Sequence, residues 1–343
     1  MKRMLAALAA CCLLETAALA EPPAAASVAP AFTSAILIGW DGAQRAHVKE
    51  MLDRGELPAL RALATEGALV AIDIARTTDT KAGWTQILTG LEPETTGVFS
   101  NGRYQPIPEG LTIFERLKTA FGPSFATVAV IGKKGHVDAE GEERIRVDSP
   151  RFKRMKKNGK ISPNPAVVSG DGKPYLLIPA KPYFNAAPTL DVWINGLGQD
   201  DKVGAKALEL LERFKGRRFF FFVHFAEVDH QGHKFGENSP EYDAALKSAD
   251  TWTGRIREKL KALGVADRTL VCVTADHGFD EGMKSHGDAP YVFLGTNDKA
   301  VLRPGRREDI TPTILERLGV DLATLNPPLA GHSLAKPWTQ PIW

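Results

Sequence analysis

The chain has 343 residues, 43% hydrophobic and 24% charged, with a formal net charge of +2. That is enough apolar material for one large α/β domain with an insertion. The near-neutral balance excludes a global attraction to nucleic acid or to a membrane surface, and no repeat of solenoid period is present.

The N-terminus reads as an export signal over 1–20. Lys2 and Arg3 form the charged start, Met4–Leu14 is apolar but too short to span a bilayer, and Ala18-Leu19-Ala20 offers a small-x-small cleavage site. A Pro/Ala linker follows over 21–33. The expected product is exported, periplasmic or secreted, with no transmembrane segment after cleavage. A competing reading takes Leu8-Ala9-Ala10-Cys11 as a lipoprotein box with lipidation at Cys11. Cleavage at Ala20 leaves Cys272 as the only cysteine, which excludes an intramolecular disulfide.

From residue 34 the pattern alternates strands and helices. AILIGW reads as a strand buried on both faces, PALRALATEG as a helix and ALVAIDIA as a strand. A helix is expected from about Ala82, then an amphipathic helix over LTIFERLKTAFG and a strand over ATVAVIG. KVGAKALELLERFKG and Pro240–Leu263 read as helices, and RRFFFFVHF, RTLVCVTA and PYVFLG as strands. DITPTILERLG closes the series as a helix with Asp309 as N-cap. The alternation predicts a doubly wound, mostly parallel α/β sheet with helices on both faces, spanning 34–343. The pattern breaks between about 135 and 201, a Pro-, Gly- and charge-rich stretch read as an inserted cap. Its short strands would be KPYLLIPA and TLDVWI, and RFKRMKKNGK carries six basic residues in ten.

Doubly wound sheets gather ligands at the C-terminal ends of their strands. Asp41, Asp229 and Asp276 each follow an apolar strand-like run. His233 lies four residues after Asp229, His277 directly follows Asp276, and His286 comes nine residues later. If its segment is helical, Asp229 shares a face with His233; the nearby glycines suit a loop equally well. Gly278 would allow the kink that brings adjacent side chains to one ion. Three Asp, three His and the hydroxyl of Thr80 are enough to hold two ions, and this donor set suits zinc and its neighbours. Thr80 precedes a helix, where a threonine ordinarily serves as N-cap. The same place also stabilises an alkoxide and a phosphate oxygen, and metal coordination would make the hydroxyl a competent nucleophile. Thr77 and Thr78 are its rivals. Lys81, in the first helical turn, is expected to face solvent; turned inward it would contact substrate charge. His47, His136, His224, His230 and His332 lack strand-end context and read as ordinary surface or supporting residues.

The order and spacing resemble the alkaline phosphatase superfamily, most closely its nucleotide pyrophosphatase/phosphodiesterase and phosphonoacetate hydrolase branches. The resemblance rests on Trp40-Asp41-Gly42, on Thr80 nine residues before Thr89-Gly90, on TGLEPETTGVFSN, AEVDHQGHKFG and TADHGF, and on the closing DITPTILERLGV. It implies two zinc ions, with manganese the alternative, one held by Asp229, His233 and His286 and the other by Asp41, Asp276 and His277. Thr80 would bind the second ion as nucleophile. Asn101 falls where those enzymes bind a phosphoryl oxygen. The implied reaction is hydrolysis of a small-molecule phosphodiester or phosphonate through a covalent phospho-threonine.

The departures keep alternatives open. Lys81-Ala82-Gly83-Trp84 stands where phosphodiesterases carry Phe-Pro-Asn-His, which weakens nucleotide specificity and admits a phosphomonoesterase. A sulfatase-like hydrolase is disfavoured, because Thr80, Ala82 and Trp84 replace the C/S-x-P-x-R motif and exclude formylglycine. A non-catalytic metal-binding protein is the remaining alternative.

Overall fold

The computed structural model describes residues 30–159, 161 and 166–337. The export signal over 1–20, Cys11 and most of the 21–33 linker lie outside them. In chain order the strands are β1 (Ser34–Trp40), β2 (Ala68–Asp73), β3 (Ala126–Ile131), β4 (Glu143–Arg146), β5 (Val167–Gly170), β6 (Lys173–Ile178), β7 (Val192–Asn195), β8 (Phe219–Phe225), β9 (Thr269–Thr274), β10 (Tyr291–Thr296) and β11 (Gly305–Arg306). The helices are α1 (Arg45–Asp53), α2 (Pro58–Glu66), α3 (Thr80–Thr89), α4 (Pro93–Thr96), α5 (Ile113–Phe121), α6 (Pro150–Lys157), α7 (Asp200–Phe214), α8 (Glu227–Phe235), α9 (Pro240–Ala262) and α10 (Ile310–Arg317).

Eight strands form one sheet in the order β11-β2-β10-β9-β1-β8-β3-β7. Only β10 runs against its neighbours, pairing antiparallel with both β2 and β9. The fold is therefore the expected doubly wound, mostly parallel sheet. At its centre β1, β8, β9 and β3 are buried along their whole length, as continuous apolar runs require when helices cover both faces. Phe219, Phe220, Phe221, Phe222 and Phe225 of β8 supply much of this core. Among the described residues no helix is long and apolar enough to cross a membrane.

The segment between β3 and β7 carries a separate three-stranded antiparallel sheet, β4-β6-β5, with α6 beside it. One expectation needs correcting here. TLDVWI was assigned to the cap, but Val192–Asn195 pairs parallel with β3 and forms the edge of the main sheet. Its short apolar run carries no local signal of which sheet it joins; the parallel register with Val128–Ile131 decides that. The basic stretch after Ser149 forms α6, whose Ser149 N-cap accepts from Phe152 N and whose residues all stay out of the core. A sequence pass reading charge as irregular surface misses such a helix.

Candidate active site

β8, β1 and β9 are parallel neighbours, so their C-terminal ends open onto one edge. Asp41 directly follows β1, and Asp276 and His277 lie just beyond β9. Asp229 lies in the first turn of α8, the helix that follows β8, and the i, i+4 spacing brings His233 to the same face. That settles the helix-or-loop alternative in favour of a helix. Gly42 makes the approach possible: its φ is +80°, and a Cβ there would sit 3.1 Å from the Asp229 backbone. Gly278 is not among the positive-φ glycines, and a Cβ there would press on Gln44, with Oε1 at 2.1 Å and Cα at 3.2 Å.

His277 Nε2 stands at the centre of the cluster. It is 3.6 Å from Asp41 Oδ1, 3.6 Å from Asp229 Oδ1, 3.5 Å from Asp276 Oδ2 and 3.3 Å from Thr80 Oγ1. Its Nδ1 is 2.9 Å from Gly278 O, and the Nδ1 of His233 is 2.9 Å from Lys284 O. If each Nδ1–H donates to its carbonyl, each ring turns a lone pair on Nε2 toward the carboxylates, as metal-ligating histidines do. His286 stacks on His277 with ring centroids 3.9 Å apart and lies 5.0 Å from the His233 ring.

Two ligand groupings emerge, with their donor atoms within 4.8 Å of one another. Asp229, His233 and His286 form the first, as expected. The second is Asp41, Asp229 and His277. Asp229 therefore faces both groupings; Asp276, expected in the second, is not part of it, although its Oδ2 lies 3.5 Å from His277 Nε2. Asp229 Oδ1 and Asp276 Oδ2 are buried and accept no hydrogen bond among the described residues. Orphaned buried carboxylate oxygens beside imidazole lone pairs are a donor set that divalent cations fit.

The electrostatics agree. Burial alone would raise the Asp41 carboxyl, but Lys133 and His224 outweigh it and hold its pKa well below the usual range. Burial and the Asp41 charge push Asp229 up, yet Lys133 and the His233 ring beside it, with Nε2 3.4 Å from Oδ1, bring it down to about 2. Asp276 goes the other way, raised by burial and then by Asp41. Three buried carboxylates beside a single ammonium disfavour one another's charge, and a bound cation would relieve that repulsion. Burial lowers His277 to about 3, so its ring is neutral at ordinary pH.

Thr80 is the first residue of α3, with Asp79 in the N-cap place; neither side chain caps the helix. Thr80 Oγ1 is the hydroxyl that enters the cluster, whereas Thr77 Oγ1 accepts from Asp79 N. Asn101 packs against the same helix start: its Oδ1 accepts from Lys81 N at 2.9 Å, and its own N donates to Asp79 Oδ2 at 2.8 Å. Lys81 corrects the sequence expectation. It is buried rather than solvent-facing, and its Nζ donates to Asn101 O at 2.8 Å. The helix start is covered by the Asn101 loop, a tertiary contact that helical periodicity cannot report.

Two contributors, Lys133 and Arg307, carry no reading in the sequence. Lys133 Nζ donates to Asp41 Oδ1 at 3.0 Å and to Thr80 Oγ1 at 3.2 Å, and lies 2.8 Å from Asp229 Oδ2. Burial disfavours its charge, but Asp41, Asp229 and Asp276 more than restore it, so its pKa is raised and it remains an ammonium. The strand-end rule that singled out the aspartates applies to it too, since it follows β3 by one glycine. His224, read from the sequence as a surface or supporting residue, is the latter: it is wholly buried with Nε2 2.8 Å from Asp41 Oδ2. Arg307 donates to the Asp276 and Thr77 carbonyls at 2.8 and 2.9 Å, tying the β9 end to the approach to α3.

A model of the type I phosphodiesterase / nucleotide pyrophosphatase family matches residues 35–313. The chain belongs to this family. Among curated proteins it is 32% identical over 124 residues to the 2,3-bisphosphoglycerate-independent phosphoglycerate mutase of Aster yellows witches'-broom phytoplasma, covering 33% of this chain and 22% of that one. It is 33% identical over 66 residues to the human ectonucleotide pyrophosphatase/phosphodiesterase family member 7, covering 19% and 14%. The chain thus spans less than a quarter of the length of either. The fold is similar to that of alkaline phosphatase from the Antarctic bacterium TAB5, with TM-score 0.51 and 14% identity, over 86% of this chain and 100% of that one. It is similar too to the Listeria monocytogenes lipoteichoic acid synthase LtaP, with TM-score 0.55 and 15% identity over 89% and 76%. A 2-O GAG sulfatase matches at TM-score 0.57 and 14% identity over 90% and 74%.

The loop bearing His286 is moored by a buried histidine. His47 places Nδ1 2.7 Å from Glu237 Oε1 and Nε2 2.6 Å from Asp243 Oδ1, and Glu237 Oε2 accepts from Gly282 N at 2.9 Å. Burial opposes the His47 charge, but Glu237 and Asp243 prevail and raise its pKa above 6.5. A group raised on folding gives stability that is complete below the unfolded pKa and lost as pH climbs through the folded value. Denaturant midpoints measured from about pH 6 to about pH 9 should therefore fall more in wild type than in His47→Gln. Equal pH dependence would show that His47 carries no such charge.

Proposed function

We propose that this protein is an exported, two-metal hydrolase of phosphate esters, favouring phosphodiesters or phosphonates and working through a phospho-threonine. One observation carries the reading: in a phosphodiesterase-family chain, the Thr80 hydroxyl leaves the N-terminus of α3 directly into a buried Asp/His cluster. Asp229, His233 and His286 would hold one divalent ion, and Asp41, Asp276 and His277 the other, with Thr80 beside it. Zinc suits these donors, with manganese the alternative. Such ions supply Lewis acidity that lowers the Thr80 hydroxyl pKa and neutralises charge on the phosphoryl oxygens.

The protein's own groups would do the rest. Thr80 Oγ1 would give up its proton to solvent and attack phosphorus, while the ester oxygen of a diester, or the carbon of a phosphonate, would leave on the opposite side and take a proton from water; a further water would then cleave the phospho-threonine to free the threonine hydroxyl and phosphate or its monoester. Lys133 Nζ donates to Thr80 Oγ1 and would stabilise negative charge there. The α3 N-terminus adds a positive field at the same oxygen. Asn101, fixed by Lys81 N and Asp79, would offer its amide to a non-bridging oxygen. His224 and Trp84, 2.8 and 3.3 Å from Asp41 Oδ2, orient the carboxylate so that Oδ1 faces the cluster.

Thr80→Ala should lower kcat on bis-p-nitrophenyl phosphate by at least about a thousandfold while elemental analysis still finds most of the metal. Thr80→Ser should keep part of the activity. Full activity in Thr80→Ala, with Thr77→Ala or Thr78→Ala inactive, would move the nucleophile.

A second reading, a phosphomonoesterase, is favoured by the inward turn of Lys81. The two readings separate by comparing kcat/KM for bis-p-nitrophenyl phosphate and p-nitrophenyl phosphate in wild type and Lys81→Ala. The neutral amide of Asn101 leads us to expect a diester preference. A strong monoester preference that disappears in Lys81→Ala would establish the phosphomonoesterase instead.

A further inference from the structure

Beside Thr80 lies a group of basic residues outside the metal cluster. Lys81 leaves the start of α3 away from Thr80, and its Nζ sits 4.6 Å from the centre of the Tyr104 ring. Lys181, which follows β6 in the inserted segment, donates to Tyr104 Oη at 3.1 Å and lies 5.4 Å from the ring centre. Tyr104 is thus held between two ammonium groups. His136, three residues past Lys133, has a buried Nδ1 with no hydrogen-bond partner among the described residues. Tyr104, Lys181 and His136 are half-buried, so the group remains open to solvent.

We propose that Lys81, Tyr104 and Lys181, with His136 beside them, form an anion subsite for a second negatively charged group of the substrate, a carboxylate or phosphate attached next to the reacting phosphoryl group. This rests on the reading of the protein as a phosphate-ester hydrolase.

The charge balance supports it. Two carboxylates, Asp79 and Asp138, lie near these cations, and Asp138 Oδ2 has no hydrogen-bond partner among the described residues. Asp79 accepts from Asn101 N at 2.8 Å, and Asp138 Oδ1 accepts from Ala139 N at 2.7 Å and Asn195 Nδ2 at 3.1 Å. Burial, Lys133 and Lys81 lower His136 to about 4. The cations around Tyr104 repel one another, and a bound anion would relieve that repulsion. Tyr104 Oη, fixed by Lys181, adds a donor, and the flanking ammonium groups make charge-assisted hydrogen bonds to an anion.

The test is calorimetric binding to zinc-loaded protein of three ligands that share a phosphoryl group: methyl phosphate, 2-phosphoglycolate and methyl diphosphate. Wild type should bind one or both of the latter two at least about tenfold more tightly than methyl phosphate; which one does so separates a carboxylate from a phosphate. The ratio should collapse toward one in Lys181→Met and in Lys81→Met, with thermal melting showing that the variants remain folded. A ratio near one in wild type, or one that survives both substitutions, would overturn the subsite. Turnover of bis-p-nitrophenyl phosphate is read separately. Selective binding without turnover would sink the hydrolase reading and leave the subsite standing, and turnover without selectivity would do the reverse.

Discussion

The burial of three carboxylates at one sheet edge is the constraint on which the rest of this structure depends. Asp41, Asp229 and Asp276 are each almost wholly removed from solvent. Like charges this close in a dry site are tolerated only with compensation. Lys133 supplies one positive charge to Asp41 and Asp229, while burial and then the Asp41 charge raise the Asp276 carboxyl. An ammonium and a metal ion would draw on the same oxygens of Asp41 and Asp229. In the proposed account Lys133 therefore shares the charge balance with the metals and stays close to the Thr80 oxygen.

The fold makes this concentration of charge affordable. Four strands buried on both faces give a rigid platform, and parallel pairing sends three of their ends to the same place. Supports then lock the side chains: His224 and Trp84 hold Asp41, Arg307 holds the Asp276 backbone, and the His47–Glu237 pair moors the loop with His286. None of these supports needs to touch a substrate. Their chemistry is orientation, and their burial keeps the polar atoms from trading partners with water.

Much of this was legible in the sequence, for a physical reason. Strands buried on both faces must be continuous apolar runs, so AILIGW, RRFFFFVHF and RTLVCVTA identify themselves, and a polar residue just beyond each run is conspicuous. Asp41, Asp276 and His277 were visible that way, and the structure brings them together with Asp229, His233, His286 and Thr80. What the sequence hid depends on tertiary neighbours. The assignment of TLDVWI to the main sheet rests on pairing with β3. The inward turn of Lys81 rests on the Asn101 loop closing over α3. His224 gave no signal because an alternating in-and-out position within an all-apolar strand looks the same on either face. Lys133 gave one that went unread, because a lysine after a strand reads first as surface.

The most direct test is zinc-edge anomalous diffraction from crystals grown with zinc. The account predicts two peaks, one among Asp229, His233 and His286 and the other among Asp41, Asp276 and His277, with Lys133 drawn away from at least one of its carboxylates. No peak in the cluster, or a single peak with Lys133 still joining Asp41 to Asp229, would contradict it.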